Sequence, residues 1–551
     1  MRKYLLFTFL FLSSLKNGNS QTPDWIWASG ASGGGRGFKM ANDFNGNIFV
    51  TGAFQGPSLS FGTFTLTSIG PGFDDIFIVK YDSSGNVMWA KSAGGIYSEE
   101  PWGITSDSNG NVYITGSFDS PSITFGSTTL TNTSGSFNIF IVKYDFDGNL
   151  VWAIGAGDNQ SDNGLNIATD KIDNLYATGS FSSSSITFDS TILIGVGIYN
   201  TYVIKLDTSG SVIWGKSISG TNGTCMDVDL NGNIYLSGVF AADTINFDSI
   251  PLYKTSGIGV YENFIVKYDS SGNVLWAKHA CEEYSLNHPN IKVDTTDNLY
   301  FTGDFGGQVM SFDTIHLVNA DTSGNSNDIF IAKYNTSGNL IWVKRIGGIQ
   351  YETCGGVTLD KNGNILIGGS FQTDSVYFGS ILLTNSTGAA DSYVCKYDTS
   401  GNTLWAKSAG GCGNGWDLAA DVIVNANENI YLTGSFACPT LTFGNTSLSG
   451  SDGTYFLAVL GNTTGIDEKS ASHNTFSVFP NPVRNTFTLS TAAKHQNAQI
   501  EIYNPLGEKI YAASAVNCQL WTVDCRLFPP GIYFVKLSTE NGSSVQKLVK
   551  Q

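Results

Sequence analysis

NIFIVKYDFDGNLVWA, Asn138 to Ala153, is the stretch whose reading decides the fold. An apolar run leads to a tight turn at Asp147-Gly148, and a second run closes on Trp152. That is the pattern of a β-hairpin, because Asp-Gly supplies the backbone angles of a two-residue turn. Versions of this hairpin recur along most of the chain, ending on Trp27, Trp89, Trp152, Trp214, Trp276, Trp342 and Trp405. The steps between these tryptophans are 62, 63, 62, 62, 66 and 63 residues. Self-similarity at a fixed period marks a repeat architecture built from one supersecondary unit.

Outward from that hairpin, the unit after Trp89 holds WGITSDSNGNVYITGSF, a second hairpin turning at Asn109-Gly110. A longer polar segment, DSPSITFGSTTLTNTSGS, joins the two hairpins. Two hairpins make four short strands, the content of one propeller blade. The landmarks repeat. The second strand carries a glycine at Gly52, Gly116, Gly179, Gly238, Gly303, Gly369 and Gly434. The long segment carries Phe61, Phe125, Phe188, Phe247, Phe312, Phe378 and Phe443, each followed by Gly or Asp. The third strand carries Lys80, Lys143, Lys205, Lys267, Lys333 and Lys396. Seven first hairpins predict seven blades.

The seventh unit stops at YFLAVLG, Tyr455 to Gly461, without a tryptophan strand, and the first begins with a spare one, DWIWASG from Asp24. An open ring would leave two long unpaired edges, a liability for aggregation. The Trp27 strand is therefore expected to close the seventh blade as its outermost member. The expected fold is all-β: a seven-bladed propeller, then a small domain of different pattern.

Residues 1–20 read as a secretory signal peptide, with Arg2 and Lys3 ahead of an apolar run from Tyr4 to Leu15. The run is too short to span a membrane, and no transmembrane segment is expected in the mature chain. The propeller is expected over 21–461, a polar linker over 462–474 and a second domain over 475–551. The net charge of −17 argues against nucleic acid and anionic lipid as partners. Eight cysteines behind a signal peptide permit disulfides. Cys518 with Cys525, and Cys412 with Cys438, are plausible pairs, whereas Cys395 reads as a buried thiol.

The tail reads TFSVFPNPVRNTFTLS, QIEIYNPLGEKIY and LFPPGIYFVKLSTENGSSVQKLVKQ. Short alternating strands between turns suggest a small β-sandwich, immunoglobulin-like, of about seven strands. The pattern closely resembles the C-terminal (Por) sorting domain of the type IX secretion system of certain Gram-negative bacteria. The matching residues are Pro480, Asn481 and Pro482, the turn from Tyr503 to Gly507, then Pro530, Gly531, Ile532 and Tyr533, and the basic end from Lys547 to Lys550. The resemblance implies the type IX machinery as a partner, export across the outer membrane, and a chain secreted or held at the cell surface. The seven units also resemble bacterial β-propeller repeats of the form D-x-x-G-N-x-Y-x-T-G, here Asp107 to Gly116. Members of that family mostly lack a known activity.

Loops carry function, so the end of the ring with inter-blade loops and Phe-Gly segments is the candidate face. Glu99, Glu100, Asp162 and Glu352 each follow their blade's tryptophan by about ten residues and are expected to converge near the axis. Clustered oxygens suit a divalent cation, the one cofactor considered, although a solvated acidic rim is the preferred reading. The loop after Trp276, KHACEEYSLNHP, departs most from the repeat. Its His279, Glu282, Glu283 and His288 are candidates for ligand contact, as are Trp102 and Trp416, which break the repeat pattern. The recurrent tryptophans read instead as packing between blades. The DFDGN and DFNGN turns begin like calcium loops but lack the required glutamate and flanking helices. No nucleophile elbow, zinc-protease helix or phosphate loop occurs. The reading is a secreted or cell-surface, non-catalytic scaffold that binds an extracellular glycan or protein. The alternatives are an enzyme acting on polysaccharide at the loop-bearing mouth, and a purely structural surface protein.

Overall fold

A computed structural model describes residues 22–255, 261–282, 286–323, 326–411, 415–450, 453–461, 476–495, 498–504, 508–515, 518–539 and 542–551. The signal-peptide and linker segments, Glu283, Cys412 and Gly507 lie outside them. The chain divides into two compact units, Met1–Asn462 and Thr463–Gln551. Among the described residues all regular structure is β, and no helix is long and apolar enough to cross a membrane.

In the first unit, Arg36–Asn42, Ile48–Phe54, Asp75–Tyr81 and Val87–Ala93 pair antiparallel in that order. Six further sheets follow the same order, with first strands Glu99–Ser106, Asp162–Thr169, Thr221–Val228, Leu286–Val293, Glu352–Leu359 and Asp417–Val424. The last sheet is completed from the other end of the unit: Asp24–Gly30 pairs antiparallel with Thr454–Gly461, placing Trp27 opposite Val459. Each first strand packs against the next, and Asp417–Val424 packs back on Arg36–Asn42, so the seven form a closed cycle.

The sequence explains the layering. Second and third strands such as IFVTGAF and DIFIVKY are buried at every residue, as continuous apolar runs between packed sheets must be. The tryptophan strands are mostly half-buried, with exposed positions such as Met88 and Val151. Six of the seven tryptophans, all but Trp405, lie against a glycine in the outer turn of the next sheet. A Cβ on Gly148 would sit 2.7 Å from the Trp89 ring, and one on Gly85 2.7 Å from Trp27. Those glycines have φ of 78° and 87°, so the turn and the indole both require a residue without a side chain.

The D-x-x-G-N turns consume their own carboxylates. Asp43 Oδ1 accepts from the N–H groups of Asn45 and Asn47, both at 2.9 Å, and its Oδ2 accepts from Asn47 Nδ2 at 2.7 Å. Asp107, Asp170, Asp229 and Asp360 repeat the arrangement. This is an Asx turn rather than a calcium loop.

The long polar segments are more ordered than a bare connection. Each forms a short hairpin of its own, such as Ser122–Phe125 with Thr128–Thr131. Gly126 and Asp189 take positive φ at the equivalent turns, 54° and 52°. Phe125 is buried against Phe140, with ring centroids 5.2 Å apart, so the hairpin caps the sheet's core.

In the second unit, Phe476–Phe479, Thr486–His495 and Cys518–Asp524 form one sheet. Lys509–Ala515, Ala498–Tyr503, Gly531–Thr539 and Gly542–Lys550 form another. Phe487, Ile502, Val523, Val535 and Leu548 belong to one buried cluster drawn from both. The local Cys518–Cys525 bridge is not formed: the Cys525 thiol is free and buried, with Sγ donating to the Asn485 carbonyl at 3.1 Å. Cys395 is a free buried thiol in its third strand.

Candidate functional site

Every first strand of the first unit slips by an extra residue at the same level. The register shifts fall between Gly37 and Lys39, Pro101 and Gly103, Gly164 and Asn166, Gly223 and Cys225, Asn287 and Asn290, Cys354 and Gly356, and Ala419 and Asp421. A bulge leaves its extra residue unpaired and re-aims the side chain. The bulged residues are Phe38, Trp102, Leu165 and Thr224, then His288 with Pro289, then Gly355 and Ala420. Six of these seven bulges (Phe38, Trp102, Leu165, Pro289, Gly355 and Ala420) line one cavity of about 350 Å³, to which all seven first strands contribute.

The mouth is built unevenly. Phe38, Trp102 and Leu165 stand on one arc, and Gly355 and Ala420 on another. Phe38 and Trp102 stack with centroids 5.7 Å apart and planes 11° apart. Trp102 remains 37% exposed, which keeps an indole face available beside the cavity. The recess thus has one aromatic wall and small residues on the opposite arc.

Below the mouth the lining becomes polar. Lys39 Nζ reaches Asn290 Oδ1 and the Gly355 carbonyl, both at 3.4 Å, and lies 3.9 Å from Asp421 Oδ1. Lys292 Nζ pairs with Asp227 Oδ1 at 2.9 Å. Asp421 Oδ2 also accepts from the Met40 N–H at 2.8 Å. These charges line a further cavity of about 470 Å³. Lys39 thus ties the first, fifth, sixth and seventh first strands together across the floor.

The expected convergence of Glu99, Asp162 and Glu352 is not what the fold builds. Each is fully buried at the start of its own first strand. Glu99 Oε2 accepts from the Gly95 N–H at 3.0 Å, Asp162 Oδ2 from Asp158 at 3.0 Å, and Glu352 Oε2 from Gly348 at 2.7 Å. Asp162 also takes the Ser183 hydroxyl, and Glu352 that of Thr373. These acids hold the inter-sheet loops, and Asp417 occupies the same position. Burial pushes Glu99, Glu352 and Asp417 up to about 7. Among the described residues, no three His, Cys, Asp or Glu side chains gather as a metal-holding group. Glu100 is only partly buried on the neighbouring position, and burial raises its pKa as well.

His279 lies on a strand, Val274–Glu282, rather than in a loop, opposite Phe264. Its Nδ1 is 2.9 Å from the buried Glu262 Oε2, and its ring packs 5.7 Å from Phe240. Neither His279 nor Trp416 lines the channel mouth. Trp416 is 48% exposed, immediately before Asp417. His288 falls in the bulge of the fifth first strand, whereas Glu282 ends the strand that carries His279. Phe38, Leu165 and Lys39 were not among the sequence candidates. Aligning the seven first strands at the bulge would have put Phe38 and Leu165 in the column of Trp102.

In the second unit the sorting-pattern residues meet. Asn481 Nδ2 donates to the Lys547 carbonyl at 2.7 Å, and Asn481 Oδ1 accepts from the Val549 N–H at 2.8 Å. The Val483 N–H donates to the Val549 carbonyl, and Val483 bridges Lys550. Tyr533 donates its hydroxyl to the Pro529 carbonyl at 2.7 Å, across the turn that contains Gly531. Pro480 and Pro482 flank Asn481 on either side.

Residues 477–551 match the family model of a secretion system C-terminal sorting domain. Residues 341–370 match a β-propeller repeat. The sorting domain implies engagement of the type IX machinery, and secretion or attachment at the outer-membrane surface. An uncharacterized WD repeat-containing protein of Acanthamoeba polyphaga mimivirus is 25% identical over 80% of this chain and 38% of its own length. The regulatory protein FlaEY of Caulobacter vibrioides is 26% identical over 30% of this chain and 17% of its own. The chain therefore spans less than half the length of either relative. Among solved structures, a puromycin hydrolase mutant complexed with PGG aligns over 83% of this chain and 58% of its own, at 9% identity and a TM-score of 0.38. A glycoside hydrolase family 32 protein from Bifidobacterium adolescentis aligns over 95% of both, at 8% identity and a TM-score of 0.24. Likenesses this low say nothing about activity.

Proposed function

We propose that the chain is a secreted or surface-held, non-catalytic binding scaffold: a signal peptide, a seven-bladed propeller and an immunoglobulin-like sorting domain. The partner seats at the channel mouth. The observation that carries this reading is the uneven ring of bulged residues, with stacked Phe38 and Trp102 facing Gly355 and Ala420 around one cavity. Purely structural repeats have no need of a one-sided aromatic wall at their axis. The polar groups at the floor already engage one another, so the mouth favours an inserted apolar side chain of a protein or peptide partner over a sugar.

The test is capture of cell-surface proteins and glycans by the full chain, compared with Trp102→Ala and with Ala420→Trp, which fills the open arc. Both substitutions should lower capture by about tenfold or more while leaving thermal unfolding nearly unchanged. Undiminished capture by both variants would sink the reading.

A further inference from the structure

The cleft between the third and fourth sheets has no part in the channel mouth. Its outer lip comes from GVGIYN, where Val196, Ile198 and Tyr199 are exposed, and from Tyr261 across the cleft. The cavity they enclose is about 550 Å³. Drug-sized and sugar ligands occupy pockets of about 300–1,000 Å³.

The floor carries the informative residues. Asn222, Val239 and Asn263 sit directly opposite one another on three adjacent strands of the fourth sheet, so they form one row on one face. All three line the cleft. Asn263 is fully buried, yet neither Oδ1 nor Nδ2 has a hydrogen-bond partner, and Asn222 Oδ1 has none either. Among the described residues, Asn263 alone has two unpartnered buried side-chain atoms. The equivalent third-strand position is isoleucine in three sister sheets, Ile76, Ile139 and Ile329, and a hydroxyl residue in the other three, Thr201, Ser392 and Tyr455. A carboxamide occurs at this position in no sister sheet, and with its hydrogen bonds unmade it calls for a ligand to complete it.

We propose that this cleft is a binding site for a neutral pyranose sugar. Two amide acceptors and one amide donor at the floor match neighbouring hydroxyls, each of which both donates and accepts. The tyrosine rings at the lip present apolar faces to the C–H face of a pyranose ring while their hydroxyls stay wet. None of the described residues lining the cleft is charged, so an ionic ligand would enter unpaired. This site stands independently of the partner proposed for the channel mouth.

The experiment is saturation-transfer NMR on the full chain with D-glucose, D-mannose and D-galactose at millimolar concentration, and N-acetylalanine methylamide as a peptide-like probe. At least one sugar should receive saturation. Asn263→Ile, which installs the residue of three sister sheets, and the surface variant Tyr261→Ala should each weaken it by about tenfold or more. Trp102→Ala should leave it unchanged. No transfer to any of the three sugars, transfer to the amide probe alone, or sugar binding that survives Tyr261→Ala but not Trp102→Ala would each overturn the proposal.

Discussion

The buried Nζ of Lys80 donates to the backbone carbonyl of Phe146 at 3.0 Å, in the outer turn of the next sheet. Trp89, directly opposite Lys80 on the neighbouring strand, donates its Nε1–H to the same carbonyl at 3.1 Å. Lys143 and Trp152 do this to Thr208, and Lys205 and Trp214 to Ser270. In these three seams one sheet fixes the outer turn of the next with two donors on one acceptor. The sequence period is the spacing at which that relationship closes.

Removing the lysine should weaken a seam between sheets. Lys80 lies 3.6 Å from Asp43 Oδ2, with both side chains fully buried. Lys80→Met leaves the carboxylate without its cation and should cost about 3 kcal/mol. Trp89→Phe keeps most of the packing and removes one hydrogen bond, for about 1 kcal/mol. Chemical denaturation of the full chain measures both. Equal losses would show that packing, not the shared acceptor, holds the seam.

Two sets of carboxylates set opposite pH windows. Glu99, Glu352 and Asp417 are raised to about 7 by burial, so the folded state holds more protons than the unfolded state between their ordinary range and pH 7. Their contribution is complete below the unfolded value and is lost as pH rises through about 7. Asp82, Asp145, Asp269 and Asp398 are lowered; burial opposes the shift, but hydrogen bonds within their turns outweigh it. Their contribution is present above the unfolded carboxylate range and is lost as pH falls through the lowered values. Thermal unfolding should peak between about pH 4 and pH 7. Glu352→Gln should flatten the fall on the alkaline side. A Tm that climbs steadily from pH 5 to 8 would refute the assignment.

At the channel mouth, Trp102→Ala exposes Phe38 and deletes the stacked pair. The residue is more than a third exposed, so stability should change by about 1 kcal/mol or less. Partner capture should fall by about tenfold or more. Thermal unfolding and capture are measured on the same preparation.

Export should depend on the contact between Asn481 and the final strand. Asn481→Ala removes a donor to Lys547 and an acceptor for Val549 while leaving the core untouched. In a host with type IX secretion, the variant should accumulate inside the outer membrane. Fractionation and immunoblotting report the outcome, and Asn481→Asp, which keeps the acceptor alone, should be intermediate.

The repeating hairpins, the strand borrowed from Asp24–Gly30 and the sorting pattern were legible because each rests on short-range signals: alternation, turn residues and spacing. The packing role of the recurrent tryptophans was legible for the same reason. The hairpins within the long segments were missed because Ser and Thr dominate their outward positions and hide the alternation around Phe125 and Phe443. Glu99, Asp162 and Glu352 were found at equivalent positions but assigned the wrong surroundings. Their spacing in sequence does not say whether a carboxylate faces the axis or folds back on its own loop.

The sequence by itself determined the period, the strand content, the surplus strand at one end and the destination carried by the tail. These follow from local chemistry, which acts over a few residues and needs no partner to be recognised. Only the tertiary structure decided which side chains share a cavity. The ring brings Phe38, Trp102 and Leu165 to one wall, and the fourth sheet puts Asn222 beside Asn263, because bulge position and cross-strand register set the facing of each side chain. A shift of one residue would have turned any of them away.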